Sequence, residues 1–201
     1  MKREKTVRLT LLGIFTALLI IQTFTPLGYI PIPLLPFPLT TIHISIIVAG
    51  ITLGVLDGAI VGLIGGLLCI LKAAAFPTSP TDPLFVNPML SVVPRVLIGV
   101  CASLVFLGVM RLFKNSDKPY ARMLSTAAGA IVGTLVNTVG VLTMFGLFYP
   151  ADLGVADGSS LISIVLSTII GINGIFEIVS AVVLAVPIVL AIYNLQKRSA
   201  H

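Results

Sequence analysis

The sequence predicts an all-α, polytopic membrane protein with six transmembrane helices and both termini on the cytoplasmic side. Of the 201 residues, 57% are hydrophobic and only 9% are charged, whereas soluble domains carry about 25% charged residues. Too few polar residues are present to cover a soluble fold, so lipid is the expected outer solvent. In lipid, only helices and closed barrels pair all their backbone polar groups. Long unbroken apolar runs, without the alternation of barrel strands, favour helices.

The positions of the basic residues predict the orientation. Ten of the 12 Lys and Arg residues lie between or outside the apolar runs, and such clusters mark cytoplasmic ends and loops. The same placement argues against binding to nucleic acid, although the net charge is +5. The ten residues are Lys2, Arg3, Lys5, Arg8, Arg111, Lys114, Lys118, Arg122, Lys197 and Arg198.

Apolar runs and helix-breaking residues divide the chain into elements of one membrane-embedded domain, residues 1–201. A helix needs about 20 residues to cross the hydrocarbon core. Prolines after Phe24 end the first helix, and the segment Gly54 to Gly58 is the predicted turn between two short helices. Counting those two as one would place the 111–122 cluster on the wrong side. The expected helices cover about 7–24, 41–53, 58–72, 89–113, 121–148 and 172–195.

Small residues recur at four-residue spacing on three of these helices, where they allow helix backbones to approach closely. Gly58, Gly62 and Gly66 form one such stripe, and the pair Gly129 and Gly133 forms another. We expect both to pack within the chain. Gly13 and Ala17 form a third pair on the first helix, which is also suited to receive a partner helix.

Polar side chains within predicted spans are costly and tend to mark function. By the topology above, several of them fall in the outer half of the membrane, where they predict a pocket that opens outward. The Pro-rich first loop and the 76–88 loop would cover it. The candidate pocket residues are His43, Lys72, Asn87, Arg95, Asn137, Asn173 and Glu177.

Each candidate also has a purely structural interpretation. Arg95 and Glu177 could neutralise each other as an ion pair, and Lys72 could extend its ammonium group to the outer interface. His43 could be a neutral interfacial residue, and Asn137 could bridge two helices. The prediction of a pocket therefore rests on the convergence of these side chains at one depth.

Motifs for self-contained chemistry are missing from the sequence. It has no phosphate-binding loop, no H-E-x-x-H metal motif and no Ser–His arrangement for hydrolysis. Cys69 and Cys101 lie in apolar runs without further metal ligands nearby, so we expect them to pack rather than to bind a metal. We therefore expect no catalytic residues, no metal and no cofactor, and a binding pocket that borrows its energy source from other subunits.

Five stretches of the chain are specific enough for comparison with a known family: Thr41–Gly50, Leu53-Gly54 leading into Gly58, Phe76–Pro80, Asn87-Pro88 and Val93–Val100. They resemble the substrate-binding S components of energy-coupling factor (ECF) vitamin transporters, and most closely the pantothenate-type members. Length, helix number, basic ends and a long outer first loop are similar over nearly the whole chain.

The resemblance implies a subunit that captures a small vitamin, pantothenate, on the outer side of the bacterial plasma membrane. A transmembrane coupling protein and two ATPase subunits, which use the ATP, would complete the transporter. Gly13 and Ala17 match the small-x-x-x-small patch by which such components dock the coupling protein, and the first loop would be the gate. Arg95 would bind the carboxylate, with Lys72 as the alternative cation, and His43 and the three asparagines would bind the hydroxyls and amide.

Three other functions remain open from the sequence. The chain could be an S component for another vitamin or small metabolite. It could be a membrane enzyme acting on a lipid-like substrate, with Glu177 and His43 as acid and base. It could also be a scaffold or channel without a ligand.

Overall fold

The computed structural model describes residues 2–30, 39–78, 82–114, 118–150, 162–167 and 171–199. Most of the Pro-rich first loop and of the predicted outer segment 149–173 lies outside the described residues, as do Ser79, Pro80 and Thr81 of the 76–88 loop. The elements are α1 (Lys2–Phe24), β1 (Tyr29–Ile30), β2 (Leu39–Thr40), α2 (Ile42–Leu53), α3 (Val55–Ala75), a 3₁₀ turn (Asp82–Val86), α4 (Pro88–Ser91), α5 (Val93–Leu112), α6 (Pro119–Phe148) and α7 (Ile172–Ser199).

Counted with the short α2, the helices α1, α2, α3, α5, α6 and α7 run alternately in opposite directions, so that the start of α1 and the end of α7 lie at the same end of the bundle. Arg8, near the start of α1, pairs with Asp57 at the start of α3. At the opposite end, the rings of Phe24 and Phe76 stand 6.0 Å apart. The predicted all-α architecture is confirmed, and the only strands in the described residues are the two-residue pair β1–β2.

Five helices in the described part of the chain are long and apolar enough to cross a bilayer. The sixth, α2, has 12 residues and a length of about 18 Å, which is less than the roughly 30 Å hydrocarbon core. Residues Ile42 to Ile51 of α2 are all buried, because α1, α3, α5, α6 and α7 all contact it. The short helix is therefore enclosed by protein, and its ends are not held in lipid.

A single residue separates α2 from α3. Gly54 has a φ of 96°, a left-handed conformation that glycine adopts without the steric cost of a Cβ. The predicted five-residue turn from Gly54 to Gly58 is therefore wrong in its length, since α3 already begins at Val55. One left-handed glycine reverses the chain, which leaves Asp57 in the first turn of α3.

The predicted glycine stripe of α3 is a contact surface for α5. A Cβ at Gly58 would lie 2.6 Å from the Cα of Gly50, and a Cβ at Gly66 would lie 2.7 Å from the Cα of Val92. A Cβ at Gly62 would collide with the carbonyl of Arg95. Backbones this close leave no room for side chains, so the stripe fixes the position of Arg95 relative to α3. Packing within the chain is thereby confirmed for this stripe.

The Arg8–Asp57 ion pair joins α1 to the first turn of α3. Two of the three guanidinium nitrogens, Nε and Nη2, donate to the two carboxylate oxygens of Asp57. The Asp57 side chain is 2% exposed, whereas that of Arg8 is 51% exposed. The half-exposed guanidinium group of Arg8 thus neutralises the buried carboxylate of Asp57.

Replacing Arg8 with methionine should destabilise the protein, because the buried Asp57 carboxylate would lose its partner. We expect a loss of stability, since removing one partner of such a pair leaves the other charge buried and uncompensated. Adding Asp57→Asn to Arg8→Met should recover part of it, because a neutral amide is cheaper to bury. Thermal unfolding of the purified variants measures this; a double variant no more stable than Arg8→Met would contradict the explanation.

Candidate functional site

A proline positions the arginine at the outer end of α5. The sequence predicts one helix over 89–113, but the structure divides it at Val92 into α4 and α5. Pro94 has no N–H to donate to the carbonyl of Leu90 four residues earlier. Nη1 of Arg95 donates to this carbonyl instead, at 3.0 Å. The break therefore orients the Arg95 side chain.

In the described part of the chain, no carboxylate forms an ion pair with the Arg95 guanidinium. Its Cζ lies 5.8 Å from the centre of the Phe85 ring, a cation–π distance. Within the described residues, the ion pairs are Arg8–Asp57 and Lys72–Asp82, and neither involves Arg95 or Glu177. The pairing of Arg95 with Glu177, which the sequence left open, is not present. Arg95 therefore keeps donors for a ligand.

His43 stands in the first turn of α2, directly after the strand β2. It is 2% exposed, and its Nδ1 lies 3.2 Å from the Thr40 hydroxyl. Its Nε2 is buried without a hydrogen-bond partner in the described residues. Since unpaired buried polar atoms cost about 1–3 kcal/mol, this nitrogen is suited to bind a ligand.

Glu177 approaches the same place from α7. Its Oε1 accepts a hydrogen bond from the Thr40 hydroxyl at 3.4 Å, and its Oε2 accepts one from the Thr138 hydroxyl at 3.2 Å. The carboxylate thus joins β2, α6 and α7. It contacts the cavity through Thr40 and not as one of the cavity's own lining residues.

A narrow cavity separates these groups. Its lining residues are Thr40, Ile42, His43, Arg95 and Asn137. The volume open to the centre of a water molecule is about 10 Å³, which is room for roughly one water. Pockets that enclose small molecules usually exceed about 300 Å³, so a vitamin would enter only after the surrounding side chains move apart.

Two candidates from the sequence have other partners at the outer surface. Lys72 donates to Asp82 Oδ2 at 3.0 Å and to the Thr78 hydroxyl at 3.1 Å, which ties α3 to the following loop. Asn87 caps α4, accepting a hydrogen bond from the Met89 N–H at 3.0 Å. Neither residue lines the cavity. The side chain of Asn173, a further candidate from the sequence, lies outside the described residues.

Sequence reasoning missed two hydroxyls that complete the site, Thr40 and Thr138. Thr40 bridges His43 and Glu177, while Thr138 bonds both the Thr134 carbonyl and Glu177. Threonines are common in membrane helices, where their hydroxyls bond the backbone of the preceding turn. Nothing in the sequence distinguishes these two from the others, apart from the position of Thr40 just before α2.

The predicted docking patch faces outward. Gly13 and Ala17 are both exposed on α1, and a Cβ at Gly13 would meet no atom within 4 Å. At the other small-residue pairs, neighbouring helices occupy the space beside the glycines. A Cβ at Gly133, for example, would lie 2.6 Å from Cγ1 of Ile47. The α1 pair is therefore open to a helix from another protein.

The fold is that of an all-α polytopic membrane protein, and comparison with known proteins identifies its class. A family model described as "ECF transporter, substrate-specific component" matches residues 7–189. The chain belongs to this family, the S components of ECF transporters.

Two relatives are similar over nearly their whole length. The pantothenic acid transporter PanT of Lactococcus lactis subsp. cremoris is 30% identical over 216 aligned positions, which cover 99% of this chain and 100% of the relative. The pantothenate transporter PanT of Leuconostoc mesenteroides subsp. mesenteroides is 29% identical over 195 positions, covering 94% of this chain and 93% of the relative. The family resemblance predicted from the sequence is confirmed.

Proposed function

We propose that this chain is the pantothenate-binding subunit of an ATP-driven uptake transporter in the bacterial plasma membrane. The observation that carries this proposal is the Arg95 guanidinium, which has no carboxylate partner in the described residues and lines a cavity with His43 and Asn137. The names of both relatives support the choice of vitamin. The ligand arrives from the outer side, where the basic clusters place this end of the bundle.

Each polar group of pantothenate has a complementary group at the cavity. The carboxylate accepts a two-point hydrogen bond from Arg95, a geometry for which the planar guanidinium is suited. His43 and Asn137 bind the hydroxyls and the amide. The contacts of Lys72 with Asp82 and Thr78 and the role of Asn87 as a helix cap favour Arg95, His43 and Asn137 over these two residues.

Release of the vitamin inside the cell requires other subunits. A coupling protein docks on the α1 patch of Gly13 and Ala17, and two ATPase subunits bind and hydrolyse ATP. The S component itself holds no cofactor in this scheme. Small residues favour such a contact because they let two helix backbones approach closely.

Substituting leucine for Gly13 should abolish assembly with the coupling protein while leaving vitamin binding unchanged. The added side chain projects from the exposed face of α1, where it meets no atom of this chain, and it separates the two helices. Gly108→Leu is the matched control, since a Cβ there also meets nothing within 4 Å. Co-purification with the partner subunits measures assembly; a Gly13→Leu chain that assembles like the control would contradict this docking surface.

A membrane enzyme is the second candidate, because the structure joins Glu177 to His43 through Thr40. Such a chain can move a proton. Mass spectrometry of pantothenate after incubation with the purified protein distinguishes the two functions. A binding subunit returns the vitamin bound and chemically unchanged, whereas time-dependent conversion would favour the enzyme.

A further inference from the structure

Three polar groups form a chain that ends in the cavity. Thr40 Oγ1 lies 3.4 Å from Glu177 Oε1 and 3.2 Å from His43 Nδ1. Both hydrogen bonds share one hydroxyl, and a threonine has only one hydroxyl proton. The direction of one hydrogen bond therefore determines the direction of the other.

The carboxylate sets this direction. Both oxygens of Glu177 accept hydroxyl hydrogen bonds, Oε1 from Thr40 and Oε2 from Thr138, so the Thr40 proton is directed to Glu177. The second contact then requires Nδ1 of His43 to donate its N–H to the Thr40 oxygen. In a neutral imidazole only one nitrogen carries a proton, and a charged ring beside Arg95 would be costly to bury. His43 Nε2 therefore carries a lone pair.

This lone pair is buried in the cavity and needs a hydrogen-bond donor. His43 is 2% exposed, its Nε2 has no partner in the described residues, and its ring lines the cavity with Arg95. Arg95 can only donate hydrogen bonds. The cavity thus presents the donors of Arg95 and the buried imidazole acceptor of His43, and these two groups demand opposite properties of the ligand.

We propose that the Glu177–Thr40–His43 chain selects a ligand with an O–H or N–H donor near its carboxylate. This selection rests on the proposed function and defines the substrate class of the same cavity. Pantothenate meets both demands, whereas a carboxylate without a donor leaves Nε2 unpaired and is rejected. Thr40 and Glu177 act as positioning residues, because they fix the tautomer of His43 through their hydrogen bonds.

The test compares pantothenate with its two deoxy analogues, each lacking one hydroxyl, and with its N-methyl amide analogue. Calorimetric titration of the full-length chain gives the affinities. The unmodified protein should bind at least one analogue about 10- to 100-fold more weakly than pantothenate, the effect of leaving one buried acceptor unpaired. In Thr40→Val the affinity for pantothenate should fall towards that for the analogue, so that the two differ by less than about threefold. The analogue should keep its weaker affinity, because its carboxylate still binds Arg95.

Thr52→Val is the matched control. Its hydroxyl donates to the carbonyl of Val48 in its own helix, so its loss should leave the ratio at the unmodified value. A merely structural role for Thr40 would lower both affinities equally and keep the ratio. An unchanged ratio in Thr40→Val, or equal binding of all analogues by the unmodified protein, would overturn the proposal.

A second readout reports the tautomer itself and needs no ligand. Nitrogen-15 NMR of the histidine-labelled chain carrying His201→Gln gives signals from His43 alone. We expect the proton on Nδ1 in the unmodified protein, and a mixed or reversed tautomer in Glu177→Gln, because an amide can donate to Thr40 as well as accept. A proton on Nε2 of the unmodified protein would overturn the proposal. If pantothenate does not bind but the tautomer is as expected, only the proposed vitamin is wrong.

Discussion

Replacing Arg95 with alanine is expected to weaken pantothenate binding by about 100-fold, or roughly 2.8 kcal/mol. The substitution removes the charged donor that binds the carboxylate, and losing one partner of a desolvated charge pair typically costs about 2–5 kcal/mol. Arg95→Lys should lose less, about tenfold, since lysine keeps the charge without the planar fork. Calorimetric titration measures all three affinities.

Lys72→Ala is the matched control for a lost outer cation. Its ammonium group is already bound to Asp82 and Thr78, so its affinity for pantothenate should remain within about threefold of the unmodified protein. Undiminished binding in both Arg95→Ala and Lys72→Ala would contradict the assignment of either cation to the carboxylate. Loss in Lys72→Ala alone would transfer the role to Lys72.

Substituting alanine for Gly99 is expected to have the largest effect on stability. A Cβ at this position would collide with the backbone carbonyl of Gly58, and α2 lies against the same crossing through Gly50. Backbone atoms cannot rotate away as a flexible side chain would. We expect a loss of at least about 3 kcal/mol, the upper range for overpacking.

Gly108→Ala provides the control on the same helix. Nothing lies within 4 Å of a Cβ at Gly108, so the thermal unfolding temperature of this variant should be equal to or higher than that of the unmodified protein, since alanine favours the helix. Comparing the two variants removes the shared effect of exchanging glycine for alanine within a helix. Equal unfolding temperatures for Gly99→Ala and Gly108→Ala would contradict the proposed backbone crossing.

The sequence was sufficient for the membrane fold because hydrophobic runs and prolines report directly on spans and their ends. Helices predicted at 121–148 and 172–195 correspond to α6 and α7 with small differences at their ends. It was not sufficient for the enclosure of α2. A buried helix and a lipid-facing one are both apolar, so composition does not distinguish them.

The candidate site was predicted in part. The prediction grouped His43, Arg95 and Asn137 because they share one depth in the membrane, and all three line the cavity. The same reasoning grouped Lys72 with them, because a cation at the end of α3 has the same depth whether it pairs with a ligand or with Asp82. Thr40 was not found because a hydrogen bond between β2 and α7 joins residues 137 positions apart.

The most direct test of the account is titration of the purified chain with a panel of vitamins by isothermal calorimetry. We predict that pantothenate binds with one-to-one stoichiometry and that vitamins without both a carboxylate and a nearby donor group give no heat of binding. Saturable binding of a different vitamin, with none for pantothenate, would contradict the proposed substrate. An absence of binding to every vitamin in the panel would contradict the function of a vitamin-binding subunit.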